Sequence, residues 1–335
     1  MTKKVLILIS GLLMISILLA ACQTLNSTPQ SKYKLAAIFP GVITDADYNT
    51  LGYIGITEVQ RDLGVQTAYT ENVPVEGVDQ VIKGYINNGY NIIWMHGGQY
   101  VNQTVEIAPQ FPDITFIAEG DVPVANPPTN LWFIDRNFQE GFYAIGATAA
   151  LATRTGKIGY LGGPKLPFSF AEVHAIQQAI KDLGLADIVE LKYLWAGDFN
   201  DPTTAHRLAD GLIAEGVDFI MGSLNLGMYG AFEAVKVVPS KNIMITGKYI
   251  DKSGFAPKNY VTSLLYDFSK PLKEIVTRIN AGETGGYYPL GFSTGESVQI
   301  PFRNVDPAVE IQVTKLLSKI KDGTIQVVKD TSEVK

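Results

Sequence analysis

Three loops in this chain hold aromatic and amide side chains of the kind that grip a flat polar molecule. The first, Gly41-Val42-Ile43-Thr44-Asp45-Ala46-Asp47-Tyr48-Asn49, follows a short apolar run and leads into an apolar-periodic segment. Tyr48 offers a ring face for stacking, and Asn49 offers two donors and an acceptor to the edge of a heterocycle. Tyr48 could equally staple the start of the helix that follows. The second loop is His96-Gly97-Gly98, where glycines let backbone N–H groups come close to a guest. His96 could as well be a core or surface residue, and no second histidine or carboxylate stands at metal-ligand spacing from it. The third loop follows Gly162-Gly163 and carries Phe168 and Phe170 with Pro164 and Pro167. Aromatics in a polar turn are costly to leave in water, so these either fold back on the core or line a cleft. Asn225 is open to ligand contact or to capping the next helix, and Asp201 before Pro202 reads as an N-cap. Tyr249 and Asp251 fall near an expected crossover, from which they could face a cleft. His174 and His206 lie on expected helices and read as structural or exposed.

This chemistry is recognition, not bond-breaking. The chain has no HExxH and no CxxC. The first loop has neither GxGxxG nor GxxxxGK[ST], so it does not cradle phosphate. No feature nominates a carboxylate pair for glycoside hydrolysis. The expectation is a protein that is not an enzyme and needs no cofactor or metal. A formal net charge of −6 with no basic stripe argues against nucleic acid as a partner. Sixteen tyrosines and fifteen phenylalanines supply rings enough to line a pocket.

The elements that must position these loops follow from apolar periodicity. Leu35 to Phe39 reads as a buried strand, and Thr50 to Leu63 as a helix closed by Gly64. Strands then fall at Gln66–Tyr69, Asn91–Met95, Thr115–Ala118 and Leu131–Asp135, with helices at Val78–Asn88 and Val101–Phe111. Asn137 to Thr153 is apolar nearly all round, so this helix is expected at a domain centre or border. A second alternation places strands at Lys157–Leu161, Val189–Leu194, Val217–Met221 and Asn242–Thr246. Its helices are Phe170–Leu183, Pro202–Glu215 and Gly227–Val237. No clear repeat relates the two halves. The tail reads as a strand, Tyr260–Tyr266, a helix, Pro271–Ala281, a hairpin of Leu290–Phe292 with Val298–Pro301, and a helix, Pro307–Asp322.

Such alternation predicts an α/β fold of two doubly wound, parallel-sheet lobes joined by a hinge. The first lobe is expected at residues 33–135 plus about 248–284, the second at 136–247 plus about 285–330. Loops at the carboxyl ends of the strands would then face each other across a cleft that closes on a guest.

The amino end reads as an export leader. Lys3-Lys4 precede an apolar run from Val5 to Ala20, and Leu19-Ala20-Ala21-Cys22 has the form of a lipobox. The run is short and wrongly flanked for a spanning helix. Cys22 is the chain's single cysteine, so it is the expected lipidation site, and disulfides are excluded. Residues 23–32 are polar and suit a tether between membrane and domain. An extracytoplasmic, lipid-anchored protein is expected.

Several segments match known motifs in order. Thr44-Asp45-Ala46-Asp47-Tyr48-Asn49 is similar to DDKSFN, Gln139-Glu140-Gly141 to KEQEG, and Thr155 to Gly163 to TGKVGFVGG. Gly197-Asp198-Phe199-Asn200-Asp201-Pro202 is similar to GSFNDP, and Thr262-Ser263-Leu264-Leu265 to TSML. Over nearly all the chain after the leader, the sequence resembles the basic membrane protein family of substrate-binding lipoproteins, which includes the purine nucleoside receptor A lipoproteins. The resemblance implies a type I periplasmic-binding-protein fold and service to an ABC importer, with the importer's permease subunits as partners. It implies a nucleoside-like ligand, its base stacked between rings and its ribose held by carboxylates and a lysine. On that likeness Tyr48 matches the stacking ring and Asn49 the base-contacting amide, with Asp45 beside them in the loop. Glu119-Gly120-Asp121 covers the place of the ribose-binding aspartate, and either carboxylate could take the role. Thr44 replaces the family's first loop aspartate, Tyr266 replaces its lysine, and Met244 to Asp251 departs from VIGVDVDQ. A sensory lipoprotein of the same fold and an extracytoplasmic nucleoside hydrolase are the alternatives.

Overall fold

Apolar runs bounded by glycine, proline and amides become strands, and the periodic segments between them become helices. The computed structural model describes residues 32–238 and 242–334. The expected leader, the lipobox at Cys22 and residues 23–31 of the tether lie outside the described residues. In chain order the strands are β1 (Lys34–Ile38), β2 (Gln66–Thr70), β3 (Ile92–Met95), β4 (Thr115–Gly120), β5 (Leu131–Arg136) and β6 (Lys157–Gly162). They continue as β7 (Glu190–Trp195), β8 (Phe219–Ser223), β9 (Met244–Tyr249), β10 (Tyr260–Tyr266), β11 (Gly286–Leu290) and β12 (Glu296–Val298). The helices are α1 (Tyr48–Leu63), α2 (Val78–Asn87), α3 (Val101–Ile107), α4 (Phe138–Ala152), α5 (Pro167–Asp182), α6 (Pro202–Ala214), α7 (Met228–Lys236), α8 (Ser269–Asn280) and α9 (Pro307–Lys321).

Two six-stranded sheets result, in the orders β11-β5-β4-β3-β1-β2 and β12-β10-β9-β8-β6-β7. Neighbouring strands are parallel except β12, which runs antiparallel to β10. Short βα loops on parallel strands put all the strand carboxyl ends of a sheet on one edge.

The late strands are shared out differently from the sequence reading. β10, expected in the first lobe, extends the second sheet beside β9, and β11, expected in the second lobe, joins β5 in the first. The expected hairpin is therefore absent, because β11 and β12 lie in different sheets. Burial explains the exchange. β10 is buried at all but one position and needs neighbours on both edges, whereas β11 is largely exposed and carries Pro289, as an edge strand does.

The chain passes between lobes three times: between Arg136 and Phe138, between Tyr266 and Ser269, and between Leu290 and Glu296. Asn137 N–H donates to the Leu290 carbonyl at 2.8 Å and Asp267 N–H to the Gly295 carbonyl at 2.7 Å, so the passes lie side by side. The apolar α4 packs against α5 and α9, and α8 packs against α1. One continuous apolar cluster includes residues of both sheets, from Leu35 and Phe39 to Tyr160 and Phe219. Among the described residues no helix is long and apolar enough to cross a membrane.

Helices α6 and α7 meet where Gly230 lies against the first turn of α6, and a Cβ there would overlap the Pro202 carbonyl oxygen. A backbone atom cannot swing aside. Gly230→Ala is expected to lower stability by about 1–3 kcal/mol or more, read from the urea midpoint. An unchanged midpoint would mean that the two helices do not meet this closely.

Candidate functional site

A cavity of about 830 Å³ lies between the lobes. Its first-lobe wall includes Tyr48, Asn49, Gly98, Gln99, Asp121 and Arg136, and its second-lobe wall includes Phe168, Phe199, Asn200 and Asn225. Phe138 and Tyr249 also line it, at the carboxyl side of the first crossover and at the end of β9.

Asp45 organises the loop before α1. Its carboxylate accepts from the backbone N–H groups of Asp47 at 2.9 Å, Asn49 at 3.0 Å and Thr50 at 3.0 Å. This capping lets the helix begin at Tyr48, two residues before the sequence reading placed it. The same carboxylate accepts from the Asn49 side-chain amide at 2.8 Å. A carboxylate only accepts, so the Asn49 NH2 faces Asp45, and Asn49 Oδ1 is left buried without a hydrogen-bond partner.

Tyr48 is held from below. Its ring stacks on His96 with centroids 3.9 Å apart at 18°. Its hydroxyl donates to Glu119 and accepts from Arg136 NH1 at 3.0 Å. Burial, with Glu119 adding to it, pushes the Tyr48 hydroxyl well above the usual phenol range. Burial alone would raise the Glu119 carboxyl, but His96, Arg136 and the Tyr48 hydroxyl together hold it below its ordinary value. Arg136 closes a fork onto Asp121, Nε to Oδ1 at 3.0 Å and NH2 to Oδ2 at 2.7 Å.

On the opposite wall Phe168 and Phe199 lie nearly parallel, with centroids 6.1 Å apart at 18°. Phe168 reaches across the cleft, its ring 5.8 Å from the Arg136 guanidinium carbon. Beneath Phe168, Phe138 and Tyr249 sits Lys248, which is fully buried. Its Nζ lies 2.8 Å from Glu172 Oε1 and 2.7 Å from Ser223 Oγ, with the rings of Phe138, Phe168 and Tyr249 5.0–5.3 Å away. Burial raises the Glu172 carboxyl against the pull of Lys248. A second buried pair spans the lobes, Lys252 Nζ to Asp47 Oδ1 at 2.7 Å.

Of the residues singled out from sequence, the cavity wall brings together Tyr48, Asn49, Asp121, Phe168, Asn225 and Tyr249. The others stand elsewhere. Asp45 lies behind the wall as the loop's anchor. His96 is buried under Tyr48, with Nε2 3.0 Å from the Tyr48 carbonyl and Nδ1 3.2 Å from Glu119. Gly97, at φ 147°, sets the turn that presents Gly98. Phe170 packs edge-on against Trp195 at 5.7 Å. Tyr266 is buried against Phe138, with ring centroids 4.5 Å apart. Asp251 turns back to accept from the Ser253 N–H at 2.7 Å. Of the two carboxylates at 119 and 121, Asp121 faces the cavity and Glu119 lies sealed beneath.

The sequence reading passed over Arg136, Phe199 and Lys248. Each left a signal: Arg136 and Lys248 are charges at the carboxyl ends of apolar strands, and Phe199 sits in the loop after β7. Among the described residues no cluster of histidine, cysteine and carboxylates could hold a metal ion.

The cross-lobe pair carries a pH dependence. Burial pushes the Asp47 carboxyl from 3.8 up to about 7, partly offset by Lys252. Where the folded value exceeds the unfolded one, the folded chain holds the extra proton, so stability falls as pH rises through roughly 4 to 7 and then levels. The melting temperature should decline over that window, and Asp47→Asn should remove that part of the slope. Identical slopes for the two proteins would rule out a raised Asp47.

Comparison with known proteins agrees with this architecture. Residues 32–331 match the model of the Bmp family, ABC transporter substrate-binding protein PnrA-like. The chain is 27% identical over 318 residues to basic membrane protein A2 of Borrelia garinii subsp. bavariensis, covering 91% of this chain and 90% of that one. In fold it is similar to an ABC transporter solute-binding protein from Aeropyrum pernix K1, with a TM-score of 0.74, 20% identity and coverage of 90% and 94%. It is likewise similar to one from Conexibacter woesei DSM 14684, with a TM-score of 0.72, 21% identity and coverage of 90% and 100%. Together the matched length, the two-lobed sheets and the walled cavity lead to one conclusion: the chain belongs to the Bmp family of PnrA-like ABC transporter substrate-binding proteins.

Proposed function

We propose that this chain captures a small, flat, uncharged solute of the nucleoside or nucleobase kind between its lobes and delivers it to the membrane subunits of an ABC importer. The observation that carries this reading is the cavity itself, walled by rings and amides from both lobes. Phe168 and Phe199 supply aromatic faces, and Asn49, Asn200, Asn225 and Gln99 supply amide groups at the edges. A flat heterocycle needs both, since stacking is tolerant of identity and hydrogen bonds select it. The buried charges of the wall, Arg136 with Asp121 and Lys248 with Glu172, are paired within the protein, which suits an uncharged guest. Family membership supports an extracytoplasmic site of action and an importer as partner. Lipid on Cys22 would keep the receptor close to that importer.

Calorimetry on protein freed of ligand by refolding tests the reading with a panel of nucleosides and free bases. Binding at roughly micromolar Kd or tighter is expected for at least one member. Phe168→Ala should weaken that binding about five- to hundred-fold, as loss of a stacking ring does. A panel that produces no heat with any nucleoside or base defeats the assignment of the solute.

A further inference from the structure

We propose that Glu296 is a proton-operated switch in the hinge: while its carboxyl is un-ionised the three crossovers pack together and the lobes stay closed, and its ionisation favours opening. This rests on the reading of the chain as a receptor whose lobes move about the crossovers, not on which solute it takes. Glu296 begins β12, at the end of the third pass between the lobes. It is in register with Tyr266, the last residue of β10 before the second pass, so the two side chains stand on one face of the sheet. Its Oε1 lies against the first turn of α4, which follows the first pass, and an added Cβ at Gly141 would overlap it. One carboxyl thus sits where all three passes converge.

Little in that place answers a negative charge. Glu296 is 3% exposed. Among the described residues neither of its oxygens has a hydrogen-bond partner, and nor does the Tyr266 hydroxyl. Glu140, in the first turn of α4, and Glu172 on α5 both repel a carboxylate there. Lys248 on β9 attracts one, but its Nζ is already engaged by Glu172 at 2.8 Å and Ser223 at 2.7 Å. Burial first, and Glu140 next, hold the Glu296 carboxyl well above its ordinary value. Glu140 is tied to the third pass, accepting from the Phe292 N–H at 3.2 Å. Burial raises the Glu140 carboxyl too, with Lys329 of the tail lowering it and Asp135 of β5 adding to the rise. An un-ionised Glu296 carries its own O–H, which the Tyr266 hydroxyl can accept, and it sets no charge against Glu140.

The hinge links this proton to the position of the lobes. Opening has to be absorbed by the backbone of the three passes. These are laced together by Asp267 N–H to the Gly295 carbonyl at 2.7 Å and Glu296 N–H to the Gly291 carbonyl at 2.9 Å. Parting them admits water to Glu296, which then ionises near the ordinary glutamate range. The closed form therefore holds the extra proton. Closure is favoured at low pH, and the ratio of closed to open falls by up to about ten-fold per pH unit as pH rises from the open-form value toward the closed-form one. Asp47, raised to about 7 in the cross-lobe pair, acts in the same direction, so a substitution at Glu296 is needed to separate the two.

Small-angle X-ray scattering of the protein freed of ligand by refolding, from about pH 5 to about pH 9, tests the proposal across the range in which a raised carboxyl titrates. The radius of gyration of wild type should rise with pH. Glu296→Gln keeps the size and a donor but cannot ionise, so it should lose the part of the rise that Glu296 supplies and be the more compact protein at the alkaline end. Glu140→Gln removes the facing like charge and should also shrink the rise. A merely structural role for Glu296 would lower stability without changing this pH profile. A wild-type radius that stays level or falls with pH overturns the switch even if the variants fail to fold. So does a folded Glu296→Gln protein whose profile matches wild type. Neither result touches the receptor reading, which stands or falls on calorimetry with the nucleoside and base panel.

Discussion

A charge taken out of water is best matched within a few ångströms, and three cations beneath this cleft are matched by carboxylates from other elements. Arg136 at the end of β5 meets Asp121 after β4. Lys248 on β9 meets Glu172 on α5. Lys252, beyond β9, meets Asp47 ahead of α1 in the other lobe. Removing one partner of such a pair typically costs about 3–5 kcal/mol, because the other charge stays buried and alone. Each pair therefore pins the loop or helix that carries it. Among the side chains these loops turn toward the cavity are rings and amides, Tyr48, Asn49, Phe168 and Asn225.

The hinge and the site share residues. Arg136 and Phe138 flank the first crossover, and both line the cavity. Tyr249 ends β9 at φ 74°, a backbone state that side-chain-bearing residues rarely adopt and that is often held in place at binding sites. The crossovers hydrogen-bond to one another, so the cavity wall they carry is tied to the junction between the lobes. The cavity wall is built from both lobes at once, with Phe168 of one meeting Arg136 of the other across the cleft.

Local chemistry accounts for much of what could be read in advance. The alternation of apolar runs with periodic segments marked nearly every strand and helix, since burial of one face leaves its period in the sequence. The loops carrying Tyr48, Asn49, Phe168 and Asn225 were also visible, as aromatics or amides placed where a strand meets a helix. The starts of α1 and α5 came two or three residues early, because Asp45 and Pro167 cap and begin them.

What residue order alone determined was the two-part α/β plan and the set of loops that could meet. Which late strand joined which sheet was decided by tertiary burial: β10 needed two neighbours, β11 tolerated one, and neither requirement is local. Tertiary structure also separated Phe168 from Phe170 and Asp121 from Glu119, sending one of each pair to the cavity and the other inward. Two residues apart in a sequence is compatible with either outcome. The direction a side chain finally takes depends on partners such as Trp195 and His96, which are distant in the chain and adjacent only once it has folded.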